Sequence, residues 1–157
     1  MKKLILPAIA IGLLFWAACS SPAKEEGSGE APESMVPDEV DKNIDEKGVG
    51  KFINVELTHP LNQDWVKEGE SVSNMKCISC HKLTDEKLVG PGWKGVTTRR
   101  KPEWIMNFVT NTEEMIDKSP EAQKMLEVCL TRMPNQNLSD HDARVVLEFL
   151  RNNDGEK

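Results

Sequence analysis

Small or apolar residues recur at three- and four-residue spacing in several stretches after residue 64, which is the period of an amphipathic helix. The clearest sets are Trp65, Gly69 and Val72; Trp104, Ile105, Phe108 and Val109; and Ala143, Val146, Leu147 and Leu150, with Phe149 beside them. No stretch alternates apolar and polar residues as a half-buried strand does. The pattern therefore predicts an all-α domain.

Polar residues mark where these helices begin. Asp64, Ser119 and Ser139 each precede an apolar run and are typical N-cap residues. Asp142 follows Ser139 at the spacing of a capping box, with Asp in the place of the more usual Glu. The helix that begins after Ser119 is predicted to end near residues 130–132, because a proline follows soon after and disfavours the helical conformation in the residue before it.

The first 18 residues have the pattern of an export signal. Two lysines precede an apolar run that is too short for a comfortable membrane span. Small residues directly before Cys19 resemble a bacterial lipoprotein cleavage site, where the cysteine becomes the acylated N-terminus and anchors the chain to a membrane. Trp16 departs from the usual aliphatic residue, and an ordinary secretory signal cleaved nearby is the alternative. Under either interpretation, the protein is exported to the periplasmic side.

Residues 19–56 are predicted to form an acidic disordered tether, and residues 57–157 a single domain, which we expect to be monomeric. The tether contains mainly Ser, Pro, Gly and acidic residues, which bury too little apolar surface to offset the entropy of ordering. The net charge is −6 for the whole chain. It becomes more negative when the two lysines of the signal are removed, so nucleic acid is excluded as a partner.

The motif Cys77-Ile78-Ser79-Cys80-His81 is typical of covalent haem c attachment. The two thiols can each add to a haem vinyl group, and the adjacent imidazole can bind the iron as its proximal ligand. The alternatives are a thioredoxin-like redox pair, which would need a βαβ context, and half of a zinc site. Neither the βαβ pattern nor a second pair of zinc ligands follows in the sequence.

A loop is predicted for residues 83–96, since it contains Val89-Gly90-Pro91-Gly92-Trp93-Lys94-Gly95. An iron-bound imidazole needs an acceptor, usually a backbone carbonyl, for its second ring nitrogen. The rigid turn at Pro91 is where we expect that carbonyl.

A six-coordinate haem also needs a ligand opposite His81. Met133 is the first candidate, because it lies in a loop between helices and is followed by a proline that stiffens the approach. Met115 is the second candidate, and an open or His-ligated site through His141 is the third. Met106 and Met125 fall inside predicted helices, where methionine usually fills gaps in the core.

Two further features remain open. Cys129 has no disulfide partner and lies in an apolar run, so we interpret it as a small buried core residue. Basic residues cluster after the haem motif, and they either surround the haem edge and steer an acidic partner or form an ordinary solvated surface. These residues are Lys82, Lys87, Lys94, Arg99, Arg100 and Lys101.

Over residues 57–152 the chain resembles the class I monohaem cytochromes c. The resemblance rests on the order of helix, haem motif, Gly-Pro loop, short helices, Met-Pro pair and terminal helix. It implies that the first and last helices cross near Gly69 and Phe149, and that the Pro91 carbonyl accepts a hydrogen bond from His81. It also implies that Trp93, in place of the family's leucine, packs against the haem or contacts a propionate.

These features predict a single-electron carrier rather than an enzyme. With His81 and Met133 on the iron, no substrate can bind there, and the protein passes electrons between membrane-associated or periplasmic redox proteins. The residues 132–138 and the lipoprotein signal resemble small cytochromes found beside nitrous-oxide reductases, which suggests a terminal reductase as acceptor. The rival functions are a haem enzyme or gas sensor with an open axial site, and a zinc-binding or thiol-redox module.

Overall fold

The computed structural model describes residues 42–157, which form an all-α domain with no strand in that part of the chain. Cys19 and the rest of the signal and tether up to residue 41 lie outside the described residues. None of the described helices is long and apolar enough to cross a membrane. The helices are α1 Lys42–Lys47, α2 Gln63–Lys76, α3 Val96–Arg99, α4 Pro102–Thr110, α5 Thr112–Lys118, α6 Pro120–Cys129 and α7 Asp140–Asn153.

The first long helix, α2, packs across the last one, α7, and Gly69 makes the close approach possible. A Cβ at Gly69 would lie 2.0 Å from the carbonyl oxygen of Val145 and 2.9 Å from Cβ of Phe149. Neither atom can move away cheaply, because both belong to the packed face of α7. The helix crossing expected near Gly69 and Phe149 is therefore confirmed, and it compensates for the low helix propensity of glycine.

The helix starts follow the capping chemistry with one correction. α2 is capped by Asn62, whose side chain accepts hydrogen bonds from the backbone N–H groups of Asp64 and Trp65, so the prediction of Asp64 as N-cap was wrong. Asp64 instead lies in the first turn, where its charge favours the positive end of the helix. Ser119 caps α6, and Ser139 with Asp142 forms the complete capping box of α7.

Residues 42–56, which the sequence assigned to the tether, pack onto the domain and form an N-terminal strap along α4. Asn107 is 1% exposed and holds the strap, since its side-chain oxygen accepts from Phe52 N–H and its amide donates to the carbonyls of Lys47 and Phe52. Glu103 accepts from Val55 N–H at 3.2 Å. Glu103 and Asn107, which lie one helical turn apart, thus bind the backbone of the strap. Hydrophobic periodicity in the sequence does not reveal this kind of contact.

A buried ion cluster fixes the chain before α2. Glu148 is fully buried and accepts hydrogen bonds from Arg144, Arg151 and the backbone N–H of Asn62 at 2.6, 3.0 and 2.9 Å. Burial alone raises the pKa of Glu148, but the hydrogen bonds from Thr58, Arg144 and Asn62 outweigh burial and hold that pKa below its usual range. The carboxylate therefore stays charged and joins α7 to the residues that begin α2.

The remaining helices have ten residues or fewer. The helix α6 ends at Cys129, slightly before the predicted residues 130–132, because Leu130 adopts the left-handed conformation with φ of +56° and closes the helix. The sequence did not predict α5, whose buried residues Thr112, Met115 and Ile116 pack behind α4.

Candidate haem site

The haem-attachment motif forms a tight turn at the end of α2. The backbone N–H groups of Cys80 and His81 both donate to the carbonyl of Cys77 at 3.0 Å. Cys77 and Cys80 are free thiols rather than a disulfide. Burial raises the pKa of the Cys77 thiol to about 11, so this side chain is neutral at physiological pH. The turn thus places the two thiols and the imidazole within five consecutive residues.

His81 is held on both sides of its ring. Its Nδ1 lies 2.9 Å from the carbonyl oxygen of Pro91, the contact that the resemblance implied. Trp93 stacks on the imidazole, with 5.1 Å between ring centroids and 22° between planes. Burial lowers the pKa of His81 more than the hydrogen bond to Pro91 raises it. The ring is therefore neutral, oriented, and offers Nε2 as the ring nitrogen for a metal.

The loop after His81 is built around Gly90. A Cβ on this residue would lie 2.3 Å from Cε1 and 2.7 Å from Nδ1 of His81, so the loop backbone lies against the imidazole. The N–H of Gly90 donates to the carbonyl of Cys80, and the N–H of Trp93 donates to that of Lys82, both at 2.9 Å. These bonds fold the loop back onto the motif and bring the carbonyl of Pro91 to His81.

A largely apolar cavity opens from the two cysteines and His81 into the middle of the domain. It is lined by Pro91, Trp93, Trp104, Ile105, Phe108, Met125, Cys129, Met133, Leu138, Val146 and Leu150, among others. All six residues predicted to bind the cofactor (Cys77, Cys80, His81, Pro91, Trp93 and Met133) line this one cavity. These six residues come from three segments that are separated in sequence.

The structure distinguishes the other sulfur-containing side chains by whether they line the cavity. Met115 is fully buried away from the cavity, and its sulfur accepts the backbone N–H of Val49 at 2.8 Å, so the second candidate for the axial position is excluded. Met106 is buried in α4 outside the lining. Met125 lines the cavity beside Met133, although the sequence treated it as a gap-filler. Cys129 is half-buried and also lines the cavity, so its interpretation as a core residue was wrong.

The loop that carries Met133 is fixed by side chains. Lys76, in the last turn of α2, donates from Nζ to the carbonyl of Gln136 at 2.9 Å. Arg132 pairs with Asp117 of α5 at 2.7 Å on the surface. Met133 itself is half-buried and packs against the core. The residue that directly precedes Cys77 thus ties the Met133 loop to the haem motif.

Trp104 supplies a buried polar atom without a partner. Its indole Nε1 is inaccessible to solvent and has no hydrogen-bond partner among the described residues, although Trp104 lines the cavity. Arg100 lies over its ring at 4.7 Å and also lines the cavity. A buried N–H without an acceptor is unfavourable by about 1–3 kcal/mol, and because Nε1 has no accessible surface, this N–H does not face the cavity. The helical spacing of Trp104 indicated core packing, and the residue is buried in the core.

Most of the basic cluster is engaged within the molecule. The partners are Glu86 for Lys82, the carbonyl of Val128 for Lys87, the carbonyl of Gly92 for Arg99, Glu121 for Arg100 and Glu46 for Lys101. The Arg100 guanidinium beside Glu121 holds the pKa of that carboxyl below its usual range. Steering of an acidic partner by these residues stays a prediction.

A family model described as cytochrome c matches residues 66–154. The chain belongs to the cytochrome c family. Cytochrome c from Rhodothermus marinus is 32% identical, with a TM-score of 0.68 over 73% of this chain and 97% of that chain. An engineered form of that protein, Rma TDE, gives 32% identity and a TM-score of 0.67, and its complex with a carbene intermediate gives 31% and 0.64. A comparison with curated proteins gives no match.

Family membership confirms the all-α cytochrome c fold, a covalently attached haem c with iron, and haem-based electron transfer between redox proteins. The cavity fits this group, because it joins the haem-attachment motif to a largely apolar interior, as an iron porphyrin requires.

Proposed function

We propose that this cytochrome c is a single-electron carrier whose haem is bonded to Cys77 and Cys80 and ligated by His81 and Met133. The observation that carries the proposal is the common cavity, which is lined at once by the attachment motif and by a methionine from a loop more than 50 residues later. When bound, haem c supplies a one-electron Fe(II)/Fe(III) couple.

The residues around the site would hold His81 in one orientation in both oxidation states of a bound haem. The carbonyl of Pro91 fixes the orientation and tautomer of His81, and Trp93 prevents the ring from tilting. A thioether from Met133 favours the ferrous state relative to a second imidazole. Because the apolar lining excludes water from the cavity, little solvent has to reorganise when the charge changes.

Trp93 is the residue that packs against the proximal ligand in this proposal, because it stacks on His81. Arg99 and Arg100 line the cavity and would supply positive charge to the carboxylates of the haem.

Export and anchoring through Cys19 complete the proposal and rest on the sequence pattern alone. A lipid at Cys19 would hold the domain at the periplasmic side of a membrane, within reach of membrane-associated redox proteins. A terminal reductase such as nitrous-oxide reductase is the acceptor that the sequence resemblance suggests. Acyl modification of the exported chain, lost in Cys19→Ala, tests the anchor by mass spectrometry.

Covalent attachment is tested by the mass of the exported chain produced with haem-ligation machinery. We expect one haem on the native chain, weaker attachment in Cys77→Ala and Cys80→Ala, and none in the double variant. Cys129→Ala is the matched control, because this thiol lines the same cavity outside the motif. A native chain without haem, or loss of haem in the Cys129→Ala control, would contradict the proposal.

The second candidate function is ligand chemistry at an open axial site. One observation favours it: the engineered Rhodothermus marinus relative has a structure bound to a carbene intermediate. Carbon monoxide separates the two functions, because a carrier with Met133 on the iron binds it poorly near neutral pH. Tight binding to the reduced native protein, equal to that of Met133→Ala, would favour the enzyme or sensor.

A further inference from the structure

Asp154, which directly follows the last helix, binds the loop that comes after the haem motif. Its Oδ1 accepts a hydrogen bond from the N–H of Gly95 at 2.6 Å. Its Oδ2 accepts from the N–H and the hydroxyl of Thr97 at 2.9 and 2.7 Å. Both carboxylate oxygens are therefore used on a segment that lies 57 to 59 residues earlier in the chain. Hydrogen bonds to a charged acceptor are the stronger kind, so this one side chain ties the end of α7 to the loop.

The loop has no cap of its own where Asp154 binds it. Gly95 is the N-cap of α3 and has no side chain that could accept the free N–H groups at the start of this helix. The helix α3 has four residues, which is too short to be stable by itself. Asp154 supplies the acceptor from a distant part of the chain. The position of this turn is therefore set by α7 rather than by the sequence of the turn.

The residue before Asp154 binds the other end of the same loop. Asn153 donates from Nδ2 to the carbonyl of Leu83 at 3.2 Å. We define the C-terminal clamp as Asn153 and Asp154. The clamp contacts the loop at residue 83 and at residues 95–97, so it holds both ends of the segment between them.

The two groups that hold the proximal imidazole lie between these ends. The carbonyl of Pro91 contacts Nδ1 of His81, and Trp93 stacks on the ring. The N–H of Trp93 is bonded to the carbonyl of Lys82, so its backbone follows the loop. The two clamp residues are not among those that line the cavity. The clamp therefore acts on His81 only through the loop.

The buried ion cluster fixes the turn that carries the clamp. Arg151 is 1% exposed, binds Glu148 at 3.0 Å and donates from Nε to Glu156 at 2.8 Å. The N–H of Glu156 donates back to the carbonyl of Arg151, and the N–H of Asp154 to that of Leu150, at 3.1 and 3.0 Å. Helix ends commonly fray, but these contacts hold the end of α7 in place. The carboxylate of Asp154 is thus a fixed point for the loop.

We propose that Asp154 is a positioning residue for the proximal ligand, because its carboxylate sets where the loop presents Pro91 and Trp93 to His81. The inference rests on the proposed electron-carrier function and adds a residue that acts on the iron ligand from outside the cavity. With the clamp in place, the Nδ1–H of His81 stays bonded to the carbonyl of Pro91, which fixes the tautomer and the basicity of the ring. A residue that only stabilised the fold would leave that bond unchanged when it was removed.

The test follows the exchange of the Nδ1 proton of His81 with solvent deuterium, by NMR of the reduced, haem-loaded full chain. This proton exchanges when the contact to Pro91 opens locally. Asp154→Ala removes all three hydrogen bonds of the carboxylate. The exchange should become about tenfold faster or more, because even one hydrogen bond to a charged group is worth that factor. Asp154→Asn keeps one acceptor oxygen, so its rate should lie between the two, and it decides the question if Asp154→Ala does not fold.

Glu103→Ala is the matched control. It also removes a carboxylate that accepts a backbone N–H from a distant segment, here Val55 of the N-terminal strap. The control should lower the midpoint of thermal unfolding and leave the exchange rate of His81 unchanged. A native exchange rate in the Asp154 variants that fold, or the same acceleration in the control, would overturn the role of Asp154.

Reversible reduction of the native chain separates this inference from the carrier function. A native chain whose haem does not cycle between Fe(III) and Fe(II) would contradict the carrier function, and the inference with it. A native chain that cycles, together with Asp154 variants that exchange at the native rate, would leave the carrier function intact and overturn only the positioning role.

Discussion

Gly90→Ala should damage the proximal side of the haem site although it adds only one methyl group. The added Cβ would lie 2.3 Å from Cε1 and 2.8 Å from Nε2 of His81, whereas ordinary contact begins near 3.4 Å. The imidazole would have to withdraw by about 1 Å to relieve this overlap. Such a movement stretches the 2.9 Å contact between Nδ1 and the carbonyl of Pro91.

The size of the effect follows from the two interactions that are disturbed. Overpacking at a close contact costs about 1–3 kcal/mol, and loss of one hydrogen bond adds about 1 kcal/mol, so the haem-loaded protein should lose about 2–4 kcal/mol of unfolding free energy. For a domain of this size the midpoint of thermal unfolding should fall by about 10 °C or more. The distinctive consequence is at the ligand: electron donation from His81 decreases, and the haem spectrum and reduction potential change.

Gly48→Ala is the matched control for this experiment. A Cβ on Gly48 would meet the sulfur and Cε of Met115 at 2.6 and 2.7 Å and not His81. Its stability should fall by a similar amount, while the spectrum of the haem in the folded protein stays unchanged. The two variants are compared by thermal unfolding, by absorption spectra and by potentiometric titration. An unaltered spectrum and potential in Gly90→Ala would refute the conclusion that this glycine sets the position of the proximal ligand.

Two further predictions concern the supports of the site. Lys76→Met removes the hydrogen bond to the carbonyl of Gln136 and should loosen the loop that carries Met133. Added imidazole should then displace the thioether about tenfold more readily, as measured by absorption spectra. Unchanged imidazole binding would contradict this role of Lys76. Glu148→Gln removes the buried carboxylate that pairs with Arg144 at 2.6 Å and with Arg151 at 3.0 Å, and it should lower the unfolding free energy at pH 7 by about 3 kcal/mol. The pKa of Glu148 is held below its unfolded value of about 4.3, so its contribution to stability is present above that pH and is lost as the pH falls through the folded pKa. The variant should therefore lose less stability than the native protein on acidification. Equal losses would contradict the role of the buried ion cluster.

The sequence predicted the parts of the fold that depend on local chemistry. Ser119 and Ser139 cap helices as expected, because an N-cap is decided by residues within one turn. The attachment motif, the proline carbonyl and the methionine loop were also found, because each has a short sequence signature. Their assembly around one cavity follows from the crossing at Gly69, which the family resemblance implied and helical spacing alone did not.

The features that the sequence missed depend on contacts between distant residues. The N-terminal strap packs Val49, Phe52 and Val55 against the core, and its backbone is held by the buried side chains of Glu103 and Asn107, which look like ordinary helix positions in the sequence. Cys129 was assigned to the core because its neighbours are apolar, yet it is half-buried and lines the cavity. Periodicity separates buried from exposed faces, but it does not distinguish a face that meets protein from one that meets a cofactor.

The coordination of the iron is tested most directly by the charge-transfer absorption band between a thioether and ferric haem. The band should be present in the oxidised native protein, absent in Met133→Ala and unchanged in Met125→Ala, which alters the other methionine that lines the cavity. A band that disappears with Met125 and persists without Met133, or a native protein that lacks the band, would contradict the axial pair of His81 and Met133.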